Sequence, residues 1–136
     1  FGRVAGIESG AWVLGAIGAL EGRRATAHWE DLEDFQAAHP GTEVRADRWV
    51  ADGRVLTAGG ASPAFDLMLH LIRDRWGPGP AFDVASVFVY DGTRPASEPQ
   101  PQVALGRLAE REPRVAAAVR AMEGSPDRPL STAPLA

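Results

Sequence analysis

The sequence predicts an α/β fold with a mostly parallel sheet, and three features predict it. Two short apolar segments, Val4 to Ile7 and Ala25 to Trp29, are each followed by a stretch of helical character. That alternation of strand and helix builds a parallel sheet covered on both faces. The pair Asp52-Gly53, between Arg48 to Ala51 and Arg54 to Ala58, adds a hairpin whose turn calls for positive φ at both central positions.

Taken in order, Val4 to Ile7 is short, apolar and bounded by glycines, which suits a buried strand. Ser9 to Leu20, SGAWVLGAIGAL, is apolar on every side and lacks proline, so it reads as a helix buried between the sheet and another layer. After ATAHW, Asp31 to His39 carries Leu32, Phe35 and Ala38 at helical spacing and is ended by Pro40 and Gly41. GGASPAFDLMLHLIRDRW is the clearest helix: Ser62 as N-cap, Pro63 at the first helical position, and a stripe of Phe65, Leu69 and Ile72 broadened by Leu67 and Leu71. Gly77 to Pro80 ends it. Ala81 to Tyr90 spaces Phe82, Ala85 and Phe88 as a helix would, with a strand the alternative that its valines leave open. Gly92 to Pro101, GTRPASEPQP, is polar and proline-rich, hence a linker or exposed loop. Two short amphipathic helices are predicted beyond it, Val103 to Glu110 and Pro113 to Glu123, then a turn and the cap of a further helix near Ser131.

Composition narrows the function classes. With 136 residues, 45% hydrophobic and 24% charged, the chain suits one soluble globular domain. A net charge of -4 gives no general attraction to phosphates, so any DNA contact must be local or lie outside this chain. All 14 basic residues are arginine, which implies no function. The absence of cysteine excludes disulfides, thiolate metal sites and cysteine nucleophiles. No apolar run reaches the roughly 18 to 20 residues of a bilayer span, and the cytoplasm is the expected compartment. The chain begins at Phe1 and stops at Ala136 within what reads as the start of a helix, so it is expected to be a fragment of a longer protein.

The stretch GIESGAW holds the chemistry. Its frame, Gly-x-Glu-x-Gly, has the glycine spacing of a sharp strand-to-helix elbow that normally presents a nucleophile above the strand ends. A helix N-terminus favours any anion, so a carboxylate is tolerated there. Glu8 could oppose a quaternary ammonium or guanidinium with an aromatic face nearby, or simply bond the amides of its own elbow. Ser9 stands one place too late for a nucleophile; it caps the helix or offers its hydroxyl to a ligand. Trp12 reads as core. Strand alternation sends His28 and Trp29 to opposite faces unless the strand has just finished. His39 and His70 lack partners at metal-ligand spacing. Asp66 faces either a partner or the sheet edge.

GIESGAWVLGAIGALEGRRATAHW resembles the part of ThiJ/PfpI-type domains, with the class I glutamine amidotransferase-like fold, that runs from the nucleophile elbow to the strand bearing the active-site histidine. With RRATAHWEDLEDFQAAHP and GRVLTAGGASPAFDLMLHLI, the chain resembles the sensor domain of AraC-family transcriptional regulators of the GlxA-like group. EPRVAAAVRAMEGSPDRPLSTAPLA resembles the first helix of the AraC-type DNA-binding domain and the entry to its second.

The resemblance implies the C-terminal half of a flavodoxin-like, mostly parallel sheet with flanking helices and a β-hairpin. It divides the chain into a partial sensor at 1–91, a linker and connecting helix at 92–112, and a truncated helix-turn-helix domain at 113–136. Carried over by position, Glu8 takes the place of the usual cysteine and His28 that of the histidine. Glu8, Ser9, Gly10, His28 and Trp29 are then the ligand-binding residues, with no catalytic residue, metal or cofactor. The implied protein is a cytoplasmic, homodimeric, DNA-binding regulator without membrane attachment, whose sensor takes a small amine or amino acid derivative resembling carnitine, betaine or arginine. The competing reading is a ThiJ/PfpI-type hydrolase or amidase using Glu8 and His28 as acid and base.

Overall fold

The computed structural model describes residues 2–100 and 112–124. The chain divides into two compact units, Phe1–Pro101 and Gln102–Ala136. In the first, the elements run β1 (Val4–Ile7), α1 (Gly10–Ala16), β2 (Arg24–Ala25), α2 (Leu32–Ala38), β3 (Glu43–Val44), β4 (Trp49–Asp52), β5 (Val55–Ala58), α3 (Ala61–Trp76) and α4 (Pro78–Val87). In the second, α5 (Pro113–Glu123) has the bounds its sequence predicts. Its Ala116 is fully buried while Val115 and Met122 stay about half exposed. The helix predicted at Val103 to Glu110 and the one entered near Ser131 lie outside the described residues.

The sheet carries the predicted mixture of parallel pairs and a hairpin. β5 is central, parallel to β1 with Gly6 opposite Thr57, and antiparallel to β4 with Trp49 opposite Ala58. β2 and β3 form a separate parallel pair. Arg24 N–H donates to the Asp52 carboxylate at 2.9 Å and Thr26 N–H to Thr57 Oγ1 at 2.8 Å. Because Asp52 is opposite Val55, these two bonds advance along β5 in the same direction as along the 24–26 segment. β1, β5 and the β2 segment therefore end at one edge.

Successive residues of β5 point to opposite faces, and each face has its own core. Val55 joins Ala11, Leu14, Ala25 and Phe35 beneath α1 and α2. Leu56 and Ala58 join Trp49 and Leu67 beneath α3. All four β5 residues are buried, as a strand covered on both sides requires.

Several expectations need correction. α1 is not buried all round: Ala11 and Leu14 pack inward, but Val13 is 63% and Ile17 71% exposed, with no described element over them. It also ends at Ala16 rather than Leu20. Gly18, at φ 73, donates its N–H to Gly15 O while Ala19 N–H reaches back to Leu14 O, a pair of bonds that closes a helix end. The hairpin turn uses positive φ at Gly53 alone, because Asp52 pairs with Val55 and the two-residue loop is Gly53-Arg54. β2 stops at Ala25. α3 begins at Ala61 with Gly60 at its cap, so Ser62 is not the N-cap and Pro63 is the third helical residue. The segment from Ala81 is helical, as its spacing predicts, but the helix begins earlier, at Pro78, and ends at Val87 rather than Tyr90.

Candidate functional site

The elbow is real. Glu8 has φ 51, a left-handed value that a residue with a Cβ rarely adopts, and its N–H is fixed by Ala58 O at 2.7 Å. Gly6 makes the close passage possible: a Cβ there would stand 2.7 Å from Gly10 O and 2.8 Å from Leu14 Cδ1. Gly10 has no such neighbour. The Glu8 side chain is exposed, and among the described residues its carboxylate makes no hydrogen bond or ion pair. It is therefore not consumed by its own elbow. Ser9 occupies the cap position of α1 in helical conformation and its side chain caps nothing.

His28 and Trp29 follow the last β2 residue by three and four positions, past the strand's end, so alternation no longer separates them. Their rings lie 5.5 Å apart, and both line a cavity of about 220 Å³ with Gly59, Gly60, Arg48 and Gln100. His28 Nδ1 lies 3.5 Å from Glu30 Oε2. Glu8 and Ser9 do not line this cavity. They stand at the same sheet edge, Glu8 being bonded to Ala58, the residue before Gly59. Trp12 serves the core, edge-on to Phe35 at 5.1 Å with its indole N–H donated to Asp31.

The wall of the cavity is a charged network that the sequence did not disclose. Arg48 and Asp66 are buried almost completely and paired: Arg48 Nη2 and Nε donate to Asp66 Oδ2 at 2.8 and 3.2 Å. Arg48 Nη2 also donates to Ser62 Oγ, which explains why that hydroxyl is not capping α3. Asp66 Oδ1 accepts from Tyr90 O–H at 2.8 Å and Arg94 N–H at 3.1 Å. Burial, and then the bond to Asp66, push the Tyr90 phenol above its ordinary pKa, which keeps it a donor. Asp66 thus faces inward to a cation, with all four donors satisfying one carboxylate.

The segment after α4 is exposed over much of its length yet pinned at its end. Arg94 is held to the Glu98 carboxylate, Arg48 N–H donates to Ala96 O and Glu98 O, and Pro99 bridges Asp47. Gln100 is 6% exposed, and its Nε2 donates to Thr26 Oγ1, Ala27 O and Asp47 O at 2.8–3.0 Å. A glycine at 59 accommodates it, since a Cβ there would fall 2.3 Å from the Gln100 amide. The available signals were indirect: one acidic residue inside the α3 apolar stripe, and one arginine abutting an apolar strand. Among the described residues no group of His, Asp or Glu could hold a metal.

Comparison with known proteins agrees with this architecture. The HTH-type transcriptional regulator CdhR of Pseudomonas aeruginosa is 35% identical over 131 residues, 96% of this chain and 39% of that protein. The HTH-type transcriptional regulator GlxA of Rhizobium meliloti is 34% identical over 134 residues, 98% of this chain and 41% of that protein. The chain thus spans about two fifths of the length of these curated relatives. A crystal structure of an AraC family transcriptional regulator from Pseudomonas putida superposes with a TM-score of 0.56 at 30% identity, covering 62% of this chain and 45% of that one. The model of the DJ-1/PfpI family matches residues 2–74, more than half of the 136, and the chain belongs to that family.

Proposed function

We propose that this chain is the ligand-sensing part of a DNA-binding transcriptional regulator, and that the sensor takes a small amine or amino acid derivative of the carnitine, betaine or arginine type. The observation that carries the reading is Glu8: a carboxylate at φ 51 on a nucleophile elbow, exposed and unpaired among the described residues. A fixed charge of this kind can attract a cation and cannot form the acyl intermediate of a cysteine elbow. His28 and Trp29 line a cavity that Glu8 does not, at the same sheet edge, and offer an imidazole and an aromatic face suited to a quaternary ammonium. Regulator relatives covering nearly all of the chain support non-catalytic use of this edge.

In this reading residues 1–91 belong to the sensor, 92–112 connect, and 113–136 open a helix-turn-helix domain that reads DNA as a homodimer in the cytoplasm. Among the described residues no helix is long and apolar enough to cross a membrane. Calorimetric titration of the chain with glycine betaine, carnitine and arginine tests the assignment. Glu8→Gln is expected to weaken the ligand that binds by about tenfold or more, the effect of losing one charge-assisted contact. Equal affinity in the variant removes Glu8 from the site.

A further inference from the structure

The end of α4 places one residue at two disadvantages. Val89 has φ 51, an outlier for a β-branched side chain, and it is 84% exposed. Tyr90 N–H donates to Ala85 O and Val89 N–H to Ser86 O, the pair of bonds that closes a helix on a left-handed residue, a position usually held by glycine. Glycine there would close the helix without strain and would leave no apolar side chain in water. Backbone strain of this kind clusters at functional sites.

Val89 is not isolated. Val87 and Phe88 before it are exposed, as is Phe82 within α4, and a run of exposed apolar residues marks a surface that binds. The run is held in place, since the rings of Phe88 and Tyr90 each stand edge-on to Phe65 of α3 at 4.9 Å. Next to it Tyr90 and Phe82 line a hollow of about 260 Å³ between α3 and α4, together with Leu69, Ala81 and Ala85. The Ser86 hydroxyl in this lining is turned back onto Phe82 O. Projecting apolar side chains thus adjoin an apolar hollow, the self-complementary arrangement of a two-fold contact. Arg73 and Asp91 also line the hollow, and neither side chain makes a hydrogen bond or ion pair among the described residues. Across a two-fold axis the arginine of each copy can meet the aspartate of the other. The free sheet edge is a different surface: Met68 and Trp76 line a separate cavity with Gly2 and Arg3 at the start of β1, where a further strand would add.

We propose that two copies of this chain associate through the end of α4, the 87–89 run of each entering the hollow between α3 and α4 of the other, with Arg73 paired to Asp91 across the axis. The inference takes only the homodimer from the proposed function and does not depend on Glu8 or on the ligand.

Sedimentation velocity of the chain over a wide concentration range is expected to show monomer and dimer in reversible exchange. Val89→Gly separates an interface role from a structural one, because it relieves the backbone and removes the apolar contact together. The melting temperature of the dilute chain should rise, while the dimer weakens by about tenfold or more. Arg73→Asp should weaken the dimer as well, and Arg73→Asp/Asp91→Arg should restore it. A chain that is monomeric at every concentration, a Val89→Gly dimer as strong as the original, or a charge exchange that restores nothing overturns the proposal. Dimers lost in Ile17→Asp but kept in Val89→Gly place the contact on the exposed face of α1 and overturn it likewise. Amine binding is read separately by calorimetry, so none of these outcomes decides the sensing role.

Discussion

Glu8 is held at a φ that costs on the order of 1–3 kcal/mol and persists only where neighbours fix it. Its N–H bond to Ala58 O and the contact of Gly6 with the α1 backbone are those neighbours. The two glycines of the frame are consequently unequal. Gly6→Ala drives a Cβ into Gly10 O, a backbone atom that cannot turn aside, and should cost more than about 2 kcal/mol. Gly10→Ala meets nothing within 4 Å at the start of a helix and should be neutral or stabilising by up to about 1 kcal/mol. Urea midpoints of the two variants check this; similar losses for both would mean that the elbow is not sterically set by Gly6. The elbow was legible because its requirements lie within five consecutive residues. The Arg48–Asp66 pair was not, because its members are 18 residues apart and meet only once α3 packs on the hairpin. A lone charge within an apolar stripe is the trace such a pair leaves, and it does not say where the partner is.

At the scale of elements, helices with a regular apolar stripe were legible, and the errors fall at ends and short strands. β2 reads as five residues but pairs over two, because Thr26 N–H is taken by the Thr57 hydroxyl and the ladder stops. Ser62 has the sequence of a cap and is instead bonded by Arg48. What joins β2 to the hairpin is Asp52. The Arg24 N–H donated to it, reinforced by the charges of Arg24 and Arg23, holds its carboxyl below the ordinary value. Glu98 is lowered likewise, first by the hydrogen bond from Arg94. A carboxyl with a depressed folded-state pKa binds its proton more readily when unfolded. Its stabilisation is therefore complete above the unfolded value, about 4 for either residue, and is lost as pH falls through the lower folded value. Melting temperature measured between pH 6 and pH 2.5 should fall on the acid side, and Asp52→Asn should flatten that fall. An unchanged acid slope would show that Asp52 is equally solvated folded and unfolded.

For the whole molecule, the alternation of strand and helix led correctly to a sheet with a core on each face, since β5 supplies alternate residues to both. What local pattern could not reveal is the return of the 91–100 segment. Its composition is that of a loop, and its hold on the sheet depends on Thr26, Asp47 and Gly59, which lie 41 to 74 residues earlier. That return matters for any sensor, because Gln100 borders the cavity beside His28. The Gly59 notch and the Gln100 amide should therefore behave as one energetic unit. Gln100→Ala removes a buried amide whose two N–H groups are shared among three acceptors and should cost about 1–3 kcal/mol. Gly59→Ala puts a methyl 2.3 Å from the same amide and must expel it, so it should cost at least as much. In Gly59→Ala/Gln100→Ala the methyl meets no amide, and the double variant should be no less stable than Gly59→Ala alone. Chemical denaturation of the three variants measures the coupling as the departure from additivity. Costs that simply add would mean that Gln100 does not occupy the notch.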